Sequence, residues 1–346
     1  MMSLMKARSW LTGWPEYRLK FANRQVPGVL LGGMDTARAI SAESVDEDQF
    51  IRRFEAEYRS ILDALLRAGM PFRILNLSTA TSALSDQLRA DGYPEFRINA
   101  PEQGSTFLYP RDLMVYLTDH DIALTSPSWL KPGVGNRAGV SCWATDWSEG
   151  GRVLFSGDTI VVFRHPEKPN APEQEILNQL RDLGLRVVEI PAGIFCSMDQ
   201  EGHLSGLFHD HHIDRAAGLV RAPDGTNHLL LGPGYRTGPL NAPLDAATSI
   251  AVVREICDTA GIVVHAIPDT ALPYATSLVQ SPEGTVVISG GNESLAELLE
   301  TIVGVDAVVT TSLPITHFPV FASAGIHCLV TESPDFLLAP RRAIQL

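Results

Sequence analysis

Four short stretches of the sequence gather reactive side chains where turns meet apolar runs, the places at which a scaffold usually presents its chemistry. Tyr109-Pro110-Arg111-Asp112 carries an adjacent cation and carboxylate, a structural ion pair or part of a site. Glu149-Gly150-Gly151 puts an acid before residues that permit close backbone approach, and an exposed turn is the plain alternative. His209-Asp210-His211-His212-Ile213-Asp214 concentrates imidazoles and carboxylates. Ser323-Ala324-Gly325-Ile326-His327-Cys328 leads through small residues to a cysteine that opens an apolar run.

The histidine stretch admits two chemistries. A metal-dependent hydrolase would recruit His209, His211, His212 and Asp214 as ligands. A metal-free His-x-Asp pair needs only His212 and Asp214, which share a face if the segment is extended, with Ile213 turned into packing. The sequence lacks an HExxH helix and a second ligand cluster of recognisable spacing, so the metal-free pair is preferred. Cys328 is either a small buried hydrophobe or a nucleophile, the latter only if its surroundings lower the thiol pKa. Cys142, Cys196, Cys257 and Cys328 form no CxxC pair, which argues against a zinc ribbon or a dense disulfide framework.

The elements that must position these groups recur as a phrase: hairpin, amphipathic helix, glycine, apolar strand. Ser44 and Glu47 have capping-box spacing, Phe50, Phe54, Tyr58, Ile61 and Leu65 share a helical face, and Gly69 precedes the apolar Phe72 to Leu77. Further copies run Ile176, Leu180, Leu183, Gly184, Val187; Ile250, Val253, Cys257, Gly261, Ile262; and Leu295, Leu299, Ile302, Gly304, Ala307. Each glycine is expected to form a left-handed cap. Pro223-Asp224-Gly225-Thr226 and Pro282-Glu283-Gly284-Thr285 predict matching hairpin turns, and Ser156-Gly157-Asp158 predicts another inside 152–164. A unit that cannot cover its own apolar face must pack on its neighbours, so the expectation is an α/β ring of repeated ββαβ units in a single domain spanning 1–346.

The composition, 45% hydrophobic and 19% charged over 346 residues, excludes disorder. A formal net charge of −13 argues against nucleic acid and agrees with a cationic substrate. No apolar stretch reaches membrane-spanning length, and Lys6, Arg8, Trp14 and Glu16 interrupt the first residues, so no membrane partner and a cytoplasmic location are expected.

Taken in chain order, the four stretches resemble the guanidine-modifying (pentein) superfamily, which includes arginine and agmatine deiminases, dimethylarginine hydrolases and amidinotransferases. The motifs in common are Arg111-Asp112, Glu149-Gly150-Gly151, His212-x-Asp214 and Cys328, and Gly325-Ile326-His327-Cys328 resembles the agmatine deiminase form. The resemblance implies a pentein-type α/β-propeller with pseudo-fivefold symmetry and a small cationic guanidino substrate. It further implies that Asp112 and Asp214 grip the planar cation, that Cys328 attacks its central carbon, that His212 transfers protons and that Glu149 orients His212. Hydrolysis is preferred to amidino transfer to an amine, and a non-catalytic guanidine binder is a third reading. Arg152 stands where the family often has Asp, Ser323-Ala324 where it has glycines, and His209 and His211 have no assigned role. Arg236 is a candidate clamp for a substrate carboxylate or a surface arginine. About sixty residues separate Glu149 from His212, too few for the helical insertion of bacterial arginine deiminases. A homo-oligomer is compatible with all of this.

Overall fold

The structure is a computed structural model that describes residues 28–32, 47–70, 72–77, 86, 90, 95–98, 114–117, 122–125, 141–144, 153–164, 171–191, 195–198, 204–208, 214, 216–232, 235, 244–267, 276–281, 283–315 and 326–333. In chain order the elements begin with β1 (Gly28–Gly32), α1 (Glu47–Arg67), β2 (Phe72–Leu77) and β3 (Glu95–Ile98). β4 (Met114–Leu117), β5 (Ile122–Thr125) and β6 (Ser141–Ala144) follow, then β7 (Val153–Ser156), β8 (Thr159–Arg164), α2 (Ala171–Asp182) and β9 (Arg186–Pro191). The hairpin of β10 (Phe195–Met198) and β11 (Leu204–Phe208) precedes β12 (Ala217–Arg221), β13 (Asn227–Leu231), α3 (Ala246–Thr259) and β14 (Ile262–Ala266). The last elements are β15 (Val279–Gln280), β16 (Val286–Ile288), α4 (Glu293–Val303), β17 (Val308–Thr310), the one-turn helix α5 (Ile326–Leu329) and β18 (Val330–Ser333).

These residues fall into two compact units, one formed by 1–55, 69–148 and 329–346, the other by 56–68 and 149–328. In the first, β1 pairs antiparallel with β18 and parallel with β2, and β5 pairs antiparallel with β4 and parallel with β6. In the second, β8, β13 and β16 each pair antiparallel with the preceding strand and parallel with the strand after the next helix. A parallel partner needs a crossover connection, which α2, α3 and α4 supply. The register repeats as well: Thr159, Asn227 and Val286 each open the middle strand, facing Ser156, Arg221 and Gln280 on one side and Arg186, Ile262 and Val308 on the other. The hairpin-helix-strand unit expected from the sequence is therefore present.

The two Pro-x-Gly-Thr turns close with one hydrogen-bond pattern. Ala222 N donates to Thr226 O at 2.8 Å and Gly225 N to Ala222 O at 2.9 Å; Ser281 N donates to Thr285 O at 2.7 Å and Gly284 N to Ser281 O at 2.9 Å. Gly225 and Gly284 have φ of 89° and 95°, so the turn needs the left-handed freedom of glycine. Gly69, Gly184 and Gly261 likewise have positive φ, as expected. Gly304 departs from a left-handed cap, with φ 103° and ψ 150°, and it feeds a short helical turn at Val305–Ala307, so the strand begins at Val308 rather than Ala307. Leu183 also departs from the expected apolar face: α2 ends at Asp182 and Leu183 is exposed. Ser44 lies outside the described residues.

Apolar periodicity explains the packing of the second unit. Leu219, Leu229 and Leu231 turn one face of their sheet into a cluster with Leu154, Val161, Val188, Ile190, Val253 and Cys257. The alternate residues Val220 and Leu230 turn the other way, into a cluster with Val286, Ile288, Leu295, Leu299 and Ile302. Both faces of β13 are covered, which is why its sequence reads Asn-His-Leu-Leu-Leu instead of alternating. α1 contributes buried Tyr58, Ile61 and Leu65, and Ser60 Oγ accepts from Leu313 N at 2.9 Å.

Candidate active site

Asp214 is fully buried, in a helical turn three residues ahead of β12. It is not in a strand, so the extended alternation expected for the His-x-Asp stretch does not reach it. Its lead into β12 is fixed by Ala216 O, which accepts from Gly232 N at 2.7 Å beyond the end of β13. A carboxylate withdrawn from water needs a compensating donor. His327 supplies one: its Nδ1 lies 2.9 Å from Asp214 Oδ2, although 113 residues separate the two. A carboxylate oxygen only accepts, so Nδ1 carries the proton and donates.

His327 belongs to α5, so Cys328 stands in a single helical turn that runs into β18, where the sequence suggested a loop-to-strand junction. The turn is anchored at its backbone, since His327 N donates to Ser277 Oγ at 3.0 Å. Ser277 and its neighbour Thr276 are each only 1% exposed and are locked against β12. A Cβ on Gly218 would lie 2.3 Å from Thr276 O, so only glycine allows the segment 276–278 to approach that strand so closely. Asp214, Ser277 and His327 thus hang on one seam between the repeat of β12 to β14 and that of β15 to β17.

Among the site residues read from the sequence, Asp214 is brought against the cysteine motif through His327. The backbone of Cys328 is placed in α5, while its side chain lies outside the described residues. Asp112, Glu149, His212, Arg111, Arg152, His209, His211 and Arg236 also lie outside them. Tyr235, just ahead of Arg236, is buried and donates from its hydroxyl to Pro191 O at 3.0 Å; burial raises its pKa above the ordinary tyrosine value. Among the described residues no group of three or more His, Cys, Asp or Glu is arranged to hold a metal ion, and no helix is long and apolar enough to cross a membrane. Two site residues were missed in the sequence. His327 was signalled by its place beside Cys328, whereas nothing in the sequence singles out Ser277.

The architecture is a mixed α/β fold resembling the pentein, or guanidine-modifying, enzymes, the class that the ordered motifs resemble. Two solved structures define the likeness. One is a histidine-to-glycine variant of a dimethylarginine dimethylaminohydrolase as an adduct with S-methyl-L-thiocitrulline: TM-score 0.50, 12% identity, covering 89% of this chain and 100% of that one. The other is a protein provisionally named an agmatine deiminase: TM-score 0.50, 15% identity, covering 90% of this chain and 94% of that one. No protein-family model and no curated protein matches the sequence.

Proposed function

We propose that the protein is a metal-independent hydrolase of a small guanidine or amidine compound, working through a covalent Cys328 intermediate. The observation that carries this reading is the 2.9 Å contact between His327 and the buried Asp214, which joins the cysteine motif to the His-x-Asp motif across 113 residues. The fold likeness supports it, and one neighbour of that fold forms an adduct with an arginine-like compound, S-methyl-L-thiocitrulline.

A guanidinium is cationic, planar and a poor electrophile, so it must be held by carboxylates and attacked by a strong nucleophile. In the proposed reaction Asp112 and Asp214 accept its N–H bonds and the Cys328 thiolate adds to the central carbon. The tetrahedral adduct expels an amine, which takes a proton from His212 held by Glu149, and leaves an amidino-thioether. Water then adds to that carbon, giving one proton to His212, and as the C–S bond breaks the remaining hydroxyl proton passes to the released amine, leaving a ureido product and the thiolate. No cofactor enters this scheme. Amidino transfer differs only in that an amine replaces the water. The reading includes a single domain over 1–346, with the repeated units closed into a pseudo-fivefold propeller, a cytoplasmic setting, no nucleic-acid or membrane partner, and a homo-oligomer as an allowed assembly.

The test is turnover of arginine, agmatine and methylated arginines, with ureido product and released amine both quantified. Cys328→Ala should lower turnover by more than about a thousandfold. Loss of less than tenfold overturns the covalent mechanism, and a requirement for stoichiometric zinc or iron would favour the metallohydrolase built on His209, His211, His212 and Asp214.

A further inference from the structure

We propose that His327 is a positioning residue that aims the Asp214 carboxylate at the substrate cation, so that substrate capture is built into the segment that carries the nucleophile. This deepens the proposed function and rests on its assignment of Asp214 as the acid that grips the guanidinium. The juxtaposition is of a fully buried carboxylate with the imidazole directly before Cys328, the Nδ1 proton directed at Oδ2 over 2.9 Å. The imidazole is itself held at two points, since its side chain ends on Asp214 and its backbone N–H ends on Ser277 Oγ at 3.0 Å. Ser277 in turn follows Thr276, whose carbonyl packs on the Cβ-less Gly218 of β12.

A carboxylate has two faces, and a hydrogen bond from a fixed donor to one oxygen removes its freedom to rotate. The other oxygen is then committed to one direction, as a directed, charge-assisted hydrogen bond from a planar cation requires. An imidazole in place of a flexible lysine or arginine has a second use. It brings no long side chain to compete with the guanidinium for the same acid, and its short reach keeps the carboxylate beside the residue that follows it in the chain.

The experiment uses two alkylating probes of near-equal size, 2-chloroacetamidine and 2-chloroacetamide, one cationic and planar, the other neutral. With each, the Cys328 thiolate forms a C–S bond as the C–Cl bond breaks, chloride departs and the thiol proton goes to solvent. The readout is the ratio of the two rates at Cys328, followed by peptide mass spectrometry and divided by the same ratio for glutathione. Wild type should show a preference for the amidine of about tenfold or more, which Asp214→Asn abolishes. His327→Asn places an amide N–H near the Nδ1 position and should keep at least about a third of that preference, whereas His327→Gln and His327→Ala should fall to within about twofold of glutathione.

Circular dichroism and urea unfolding establish that each variant compared is folded, and the Asn and Gln pair carries the decision if the alanine variant does not fold. Absence of any preference in wild type, or its survival in Asp214→Asn, overturns the assignment of Asp214 and with it the functional reading. A preference that depends on Asp214 but is the same in His327→Asn and His327→Gln overturns the role of His327 alone.

Discussion

Gln280 pairs through its side-chain amide with both backbone groups of Arg221, its Nε2 donating to Arg221 O and its Oε1 accepting from Arg221 N, each at 2.8 Å. The two residues occupy one position in successive repeats, each closing a first strand opposite the residue that opens the next, Asn227 and Val286 respectively. A side chain thus makes the bonds that a neighbouring strand would otherwise make. These two repeats of the second unit are tied in this way without a continuous sheet running through them.

Gln280→Ala should lower the free energy of unfolding by about 1 kcal/mol, the net worth of a pair of partly exposed hydrogen bonds. Gln280→Glu should cost more, because the group at Nε2 also donates to Gly284 O at 3.2 Å and a carboxylate oxygen there would face two carbonyls. Urea unfolding of the two variants checks the order; a Glu variant as stable as wild type refutes it.

Gly218→Ala should be more damaging. The new methyl would meet the Thr276 carbonyl at 2.3 Å, a backbone atom that can move only with the segment leading into β15, and overpacking of this kind costs about 1–3 kcal/mol. Because Ser277 Oγ holds the His327 amide, the displacement should also reach the site. Hydrogen exchange should show the His327 amide exchanging faster in the variant, and unchanged protection would show that the seam is not coupled to α5.

His228 Nδ1 and His265 Nε2 lie 2.9 Å apart, with ring planes within 15° and centroids separated by 5.2 Å, so the rings meet edge to edge and share one hydrogen bond. Burial lowers both pKa values from the ordinary 6.5; Asp224 opposes this at His228, while His228 and Arg254 add to it at His265. The unfolded chain therefore binds protons at a pH where the folded one does not. The contribution of the pair to stability is complete above the ordinary value and is lost as the pH falls through the folded values. Urea midpoints measured from about pH 7 down to about pH 5 should fall more steeply for wild type than for the His228→Gln, His265→Gln double variant, and parallel curves would refute the assignment.

Cys257 sits fully buried in α3, and burial pushes its thiol up to about 12, with Asp258 adding to the shift. Iodoacetamide at about pH 8 should leave Cys257 unmodified in the native protein and modify it readily in urea. Native labelling as fast as that of the unfolded chain would show that the helix opens locally.

The repeat was legible because two signals coincide in each copy: apolar residues at helical spacing, as in Leu295, Leu299 and Ile302, and a glycine where φ must be positive, as at Gly184 and Gly261. At the margins of two copies the structure departs from the expectation. Leu183 has the right spacing yet lies beyond the last turn of α2, and Gly304 has positive φ without the left-handed ψ. The candidate site was read from motifs in order, in which Asp214 and Cys328 stand in recognisable company. The pairing of Asp214 with His327 was not, because it depends on how two distant segments settle on the Gly218 and Thr276 seam, a long-range packing event that no local pattern encodes.

The antiparallel pairing of β1 with β18 joins Gly28 to Ser333 and Leu31 to Val330, a zipper closed across roughly three hundred residues. Contacts this remote in sequence form only after the intervening chain has emerged, so during synthesis the outer side of β1 waits as a bare edge open to wrong partners. The late strand that covers this edge follows α5 directly, and so the step that ends this exposure also delivers the Cys328 turn. A nascent or clipped chain ending before residue 326 would therefore be adhesive and, under the proposed reaction, without its nucleophile.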